Sequence, residues 1–200
     1  MLHLKCDTPK AWAQNAIAHL DEVLIDHAHC EHKAAVSALS LSAHYPDDPI
    51  RVQRLAKLAQ EEAGHFALMV EVCAKRQLKI GHPQKDPYVK ALLQEVRQGY
   101  LNHFLDRLLI CAIIEARSCE RLKILSETLE DIELKALYEE LWHAEAGHHT
   151  VFLELAQSAV AQHMPTSFTK AKPVVLKRLQ ELTTLEAKII QTLPIRAAIH

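Results

Sequence analysis

The tetrapeptide Glu-Ala-Gly-His occurs twice, at Glu62–His65 and at Glu145–His148, in a chain of 200 residues with only four glycines. On a helix, Glu and His at i and i+3 project from one face and can both reach a metal ion. Each motif is preceded at matching distance by a single Glu: Glu31 lies 31 residues before Glu62, and Glu115 lies 30 residues before Glu145. One Glu from each of two helices and a Glu-x-x-His from each of two others form the ligand set of a di-metal carboxylate bundle. The candidate ligands are therefore Glu31, Glu62, His65, Glu115, Glu145 and His148. Four carboxylates balance two divalent ions, and a mixed oxygen and imidazole set suits iron or manganese better than thiolate-seeking metals.

The elements that must position these groups are helices. Apolar residues recur at steps of three and four, the spacing that keeps them on one helical face. The four stripes read Leu20, Leu24, His27, Glu31, Ala35, Ala38; then Leu55, Leu58, Glu62, His65, Met69, Val72; then Leu101, Leu105, Leu108, Ala112, Glu115, Cys119, Leu122; then Leu134, Tyr138, Leu141, Glu145, His148, Phe152, Leu155. A carboxylate interrupts every stripe near its middle. Burying an ionised carboxylate without a partner costs several kcal/mol. Four in one core would exceed the ~5–15 kcal/mol net stability of a typical domain. Either positive charge sits among them, or some are protonated or face water.

Glycine and proline fall between the periodic segments, so the breaks are visible. Thr8-Pro9 reads as an N-cap and first turn, opening helical sequence to about Ala43 with a break near Asp21. YPDDP at 45–49 is a turn. A second helix spans about Asp48 to Leu78, ended by Gly81 and Pro83. A short segment from Asp86 leads to helices over roughly Tyr100–Glu127 and Asp131–Val160, the latter closed by Pro165. A last helix covers about Ser167 to Leu193, with Pro173 in its first turn or at its start. The expected fold is an all-α bundle of four long helices with accessory ones, one domain over 1–200, with helix pairs at 9–78 and 100–160. The small residues Ala63, Gly64, Ala146 and Gly147 would let helices approach or leave room for a substrate.

Lys and Arg total 23 against 25 Asp and Glu, a formal charge of −2, which gives no global basic signature of a nucleic-acid binder. The 14 histidines, several beside acidic residues, favour metal chemistry. Five cysteines form no CxxC pair and read as reduced thiols used for packing in a cytoplasmic protein. The opening MLHLKCDTPKAWAQ lacks the apolar core of a signal peptide, and the longest purely apolar run, Leu108–Ile114, is too short to span a membrane. His27 in the seam reads as a hydrogen-bonded core residue. Glu61, Glu120, Glu139 and Glu140 fall off the stripes. Glu120 is the main rival to Glu115 as a ligand, but using it would break the repeat.

The stretches LIDHAHCEHKAAVSAL, QEEAGHFALM, DRLLICAIIEARSCERLKIL and EAGHHTVFLELA resemble the bacterial tRNA 2-methylthio-isopentenyladenosine hydroxylases, a family of ferritin-like non-haem di-iron monooxygenases. The likeness covers roughly residues 1–190, with EARSCERL at 115–122 its most distinctive part. It implies that Glu31, Glu62, His65, Glu115, Glu145 and His148 hold two iron ions. It also implies O2-dependent hydroxylation of the isopentenyl side chain on the hypermodified adenosine beside the tRNA anticodon. Two electrons must then come from outside. No dinucleotide, flavin or iron–sulfur motif is present, so the donor would be a separate ferredoxin or reductase. Two lysine/arginine clusters could contact RNA phosphates: Lys75, Arg76, Lys79 and Lys85, and Lys170, Lys172, Lys177 and Arg178. Arg117 and Arg121, close to Glu115 in sequence, could hold neighbouring carboxylates. The competing expectations are a ferritin- or rubrerythrin-like protein that handles iron or removes peroxide, and a di-iron oxygenase of a small molecule.

Overall fold

A computed structural model describes residues 2–163 and 168–200. Within them the chain forms seven helices and no strand: α1 Lys10–Ala18, α2 Leu20–His44, α3 Pro49–Lys75, α4 Pro87–Leu93, α5 Tyr100–Thr128, α6 Ile132–His163 and α7 Phe168–Thr192. The break expected near Asp21 falls at His19, a single turn residue between α1 and α2. Thr8 does not serve as a cap: its hydroxyl donates to Glu120 Oε2 at 2.5 Å, and its backbone N–H donates to Glu120 Oε1 at 2.9 Å.

Local chemistry explains four of the helix starts. Asp48 caps α3 by accepting from the backbone N–H groups of Ile50 and Arg51, with Pro49 in the first turn, where its missing N–H costs nothing. Asp86 caps α4 in the same way through Val89 N–H. Asp131 accepts from Glu133 and Leu134 at the start of α6. Gly99, at φ 92°, makes the left-handed turn into α5 that a side chain would resist.

Two ends differ from the sequence expectation. Helix α3 stops at Lys75 rather than Leu78, because Gln77 takes a left-handed conformation (φ 58°) and closes a Schellman motif: Leu78 N–H donates to Cys73 O and Gln77 N–H to Ala74 O. Glycine usually marks that position, and here glutamine fills it. Helix α7 runs through Pro173, which lies six residues in. The expected stop at Pro165 and start at Ser167 lie outside the described residues.

The fold groups into two compact units, one of residues 1–13, 86–195 and 200, the other of residues 14–85 and 196–199. In the second, α2 and α3 pack as a helical hairpin around Leu24, Ala28, Leu55, Leu58 and Met69, all buried. In the first, α5 and α6 form the corresponding hairpin around Leu108, Ala112, Leu122, Tyr138, Leu141 and Phe152, with α7 packed against α6, α5 and α4. Each fully buried Leu or Phe contributes about 1.5–3 kcal/mol of transfer free energy. The stripes read from the sequence are these buried faces.

Candidate metal centre

Each hairpin carries one set of three donors. In the second unit, Glu31 on α2 and Glu62 and His65 on α3 bring ligand atoms within 4.8 Å of one another. His65 Nδ1 is 3.5 Å from Glu31 Oε2 and 3.7 Å from Glu62 Oε2. Glu62 is fully buried and Glu31 nearly so, whereas the His65 side chain keeps 19% of its surface exposed. In the first unit, Glu115 on α5 and Glu145 and His148 on α6 meet the same 4.8 Å limit and are all buried. His148 Nδ1 stands 3.6 Å from Glu145 Oε2, the same i to i+3 spacing as in the other motif. All six residues read from the sequence thus fall into two matching sets, each of two carboxylates and one imidazole.

Two buried carboxylates side by side repel, and each resists desolvation, so such a set needs positive charge close by. A single neutral imidazole supplies none. The donors are oxygen and nitrogen, with no thiolate, which fits hard to borderline divalent ions such as iron or manganese. The five cysteines are all free, and burial pushes the Cys119 thiol up to about 11, holding it protonated beside the Trp142 carbonyl.

His27, expected as a core residue with a hydrogen bond, has that bond to a candidate ligand: its Nε2 lies 2.6 Å from Glu31 Oε1. The rival Glu120 is engaged elsewhere, bound by Thr8 and by the guanidinium of Arg117. Arg117 also donates to Glu186 on α7, and both members of this pair are fully buried. Tyr88 donates to the same carboxylate, and Arg121 packs over the Trp12 ring at 4.8 Å. Arg117 therefore does hold carboxylates, Glu120 and Glu186, while Arg121 donates to the Thr8 hydroxyl at 3.5 Å. Glu186 escaped sequence reading, although it interrupts the buried α7 stripe of Leu179, Leu182 and Ile190 as the ligand glutamates interrupt theirs.

Arg178 is not available to RNA. Its guanidinium binds the buried Asp106 at 2.9 Å, Glu181 at 3.0 Å and the Glu95 carbonyl at 3.0 Å, while Arg97 grips Asp106 from the other side. Lys75 pairs with Glu71 at 2.9 Å. Glu61 and Glu139 are exposed, paired with Lys57 and His143. The glycines of the two motifs do not admit a close helix neighbour, since a Cβ at Gly64 or Gly147 would meet nothing within 4 Å.

An all-helical, ferritin-like protein with carboxylate–histidine donor sets of the di-iron type is the class that this fold and these residues define. The chain belongs to the tRNA-(MS[2]IO[6]A)-hydroxylase (MiaE) family, whose model matches residues 1–200. It is 36% identical over 155 residues to the tRNA 2-(methylsulfanyl)-N(6)-isopentenyladenosine(37) hydroxylase of Pseudomonas putida, covering 78% of this chain and 75% of that protein. The enzyme of the same name from Salmonella typhimurium is 29% identical over 208 residues, with 80% and 77% covered. Among solved structures, a Synechococcus protein described as having aldehyde deformylating oxygenase activity matches with a TM-score of 0.88 and 32% identity, over 98% of this chain and 94% of that one. The family resemblance carried by the four sequence stretches therefore holds along the whole chain. Among the described residues, no helix is long and apolar enough to cross a membrane.

Proposed function

We propose that this chain is an O2-dependent hydroxylase of the isopentenyl side chain on the hypermodified adenosine next to the tRNA anticodon. Two iron ions would be held by Glu31, Glu62, His65, Glu115, Glu145 and His148. The observation that carries the proposal is the pair of matching Glu, Glu, His sets, buried but for the partly exposed His65, in a chain that belongs to the hydroxylase family from end to end. When bound, the iron pair supplies the activation of O2 needed to break a strong C–H bond, chemistry that side chains lack.

The side chains contribute charge, orientation and dryness. Four glutamates would offset the charge of two divalent ions, and buried apolar residues on the same helical stripes, Leu58, Met69, Leu108 and Phe152, would keep solvent from competing for the oxidant. His27 holds one Glu31 oxygen, fixing how that carboxylate presents the other. Insertion of one oxygen atom from O2 into a C–H bond, with the other released as water, consumes two electrons and two protons. The chain has no motif for an electron-carrying cofactor, so a ferredoxin or reductase is the proposed donor. A tRNA substrate and five free thiols support the cytoplasm as the compartment of the proposed reaction.

The test is nucleoside mass spectrometry of prenylated tRNA incubated with iron-loaded protein, a reductant and O2. One oxygen added to the hypermodified adenosine, dependent on protein and on O2, is the expected result. Absence of that product, with iron content and electron supply verified, would sink the proposal.

A further inference from the structure

On the far side of α2 from its metal donor, the second unit contains a polar cavity of about 420 Å³, within the size range of small-molecule sites. Glu22, Asp26 and His29 line one wall from successive turns of α2, and Lys79, His82 and Arg196 are among the residues closing it from the segment after α3 and from near the C-terminus. Glu31 lies two residues beyond His29, so its side chain leaves the helix from the opposite side. The cavity is thus separate from the site that binds metal.

Its charges are segregated: the acidic wall is partly engaged, Glu22 with His19 at 3.5 Å, and the basic wall is largely unspent. Lys79 and His82 make no hydrogen bond or ion pair among the described residues, and the Arg196 guanidinium reaches only Gln84, at 3.5 Å. Asp26 is fixed by accepting from Ile199 N–H at 2.7 Å, and His29 by a 3.1 Å bond to the Ile80 carbonyl. A bare anion would meet the cations but be repelled by Glu22 and Asp26. A ligand that fits both walls carries a negative group and, a few ångströms away, hydrogen-bond donors. A nucleotide does so, with its phosphate for Lys79 and Arg196 and the exocyclic amine of its base for a carboxylate.

We infer that this cavity holds one unstacked nucleotide of the RNA substrate, flanking the nucleotide that reacts, with Lys79 and Arg196 on its phosphate and Glu22 and Asp26 on an amino-bearing base edge. The inference rests on the tRNA reading above and adds to it a recognition site. The diameter of one helix, about 10–12 Å, separates the cavity from the metal side of α2, a span that neighbouring nucleotides of a single strand can bridge.

The test is binding of a fluorescent, prenylated anticodon stem-loop over a range of salt concentrations. Wild type is compared with the double variant Lys79→Glu/Arg196→Glu and with a control of equal charge change at two exposed lysines outside both basic clusters, Lys10→Glu/Lys188→Glu. The cavity variant is expected to bind at least about 10-fold more weakly and to lose about 1.4 from the salt slope, about 0.7 for each phosphate contact on a single strand. The control should change affinity less than about 3-fold. In the variant Glu22→Gln/Asp26→Asn the phosphate contacts remain, so the salt slope should stay while discrimination between an amino-bearing base and uracil in the flanking nucleotide falls. Equal binding by wild type and the cavity variant, or equal loss in the Lys10→Glu/Lys188→Glu control, overturns the inference. A wild-type protein that neither binds nor hydroxylates the stem-loop would instead overturn the tRNA reading itself. Unchanged circular dichroism and iron content confirm that the variants are folded.

Discussion

The imidazole of His27 sits one helical turn before Glu31, its Nε2 2.6 Å from the carboxylate Oε1, and both side chains are buried. A carboxylate with one oxygen held in this way presents the other in a fixed direction, and partners of this kind commonly influence metal affinity by 10–100-fold. His27→Phe, which keeps the ring volume and removes the bond, is expected to weaken iron binding by that factor. His27→Gln, which retains a donor, should recover part of it. Iron titration provides the readout. Full iron affinity in His27→Phe would make His27 a packing residue only.

Glu115 and Glu120 separate cleanly by their partners. Glu115 keeps company with Glu145 and His148, whereas Glu120 is bound by Thr8 and Arg117. Glu115→Ala should reduce bound iron to one ion or fewer per chain. Glu120→Ala should leave iron content intact and cost about 1–3 kcal/mol, since the buried donors of Thr8 and Arg117 lose their acceptor. Iron analysis and urea denaturation of both variants check this, and retention of full iron by Glu115→Ala would reverse the assignment.

The contrast between these residues shows what the sequence could and could not convey. The clustering of the candidate donors was legible because residues on one helix face obey the same three- and four-residue spacing as the apolar stripe, and the near-equal intervals before the two EAGH motifs linked the singles to the pairs. Helix ends were legible where a side chain caps them, as at Asp48 and Asp86, and misjudged at Gln77, where a Schellman turn forms without glycine. The Arg97–Asp106–Arg178 clamp could not be read at all. Asp106 lies next to core leucines on α5, and its partners come from the loop before α5 and from α7, 72 residues away. Only tertiary structure shows that Arg178 is spent on this contact.

The Arg117–Glu186 pair, 2.8 Å apart and fully buried, gives a second measure of such hidden contacts. Removing one member leaves the other charge buried, at about 3–5 kcal/mol. Glu186→Ala should therefore destabilise strongly. The double variant Arg117→Met/Glu186→Leu should recover most of the loss, which the urea midpoints of the single and double variants will report. Additive losses would show that the two residues act independently.

Gly64 and Gly147 sit inside long helices with open space where a Cβ would be, so neither close approach nor a left-handed backbone demands glycine there. Gly64→Ala and Gly147→Ala should each stabilise the protein by about 0.5–1 kcal/mol, the helix-interior difference between the two residues. For a chain of this size that corresponds to a rise in melting temperature of roughly 2–4 °C per kcal/mol. If stability rises while RNA hydroxylation falls, the open face is used by the substrate. A fall in stability would contradict the open environment of these positions.

Asp106 carries the clearest pH dependence. Burial works to raise its pKa, but the hydrogen bonds from Arg97 and Arg178 outweigh it and hold the carboxyl below the usual range. The unfolded chain therefore takes up this proton at a higher pH than the folded one does. The stabilisation is fully present above the unfolded value of about 3.9 and drains away as pH falls through the lower folded value. Asp106→Asn should be less stable than wild type at pH 7 by about 2–4 kcal/mol, because two guanidinium groups lose their charge partner. Below about pH 4 the gap should narrow, since the unfolded wild-type chain takes up its proton there while the folded carboxyl is still ionised. Urea midpoints of both proteins at pH 7, 4 and 3 measure this directly, and a gap that stays constant across the series would mean that the clamp works through shape alone.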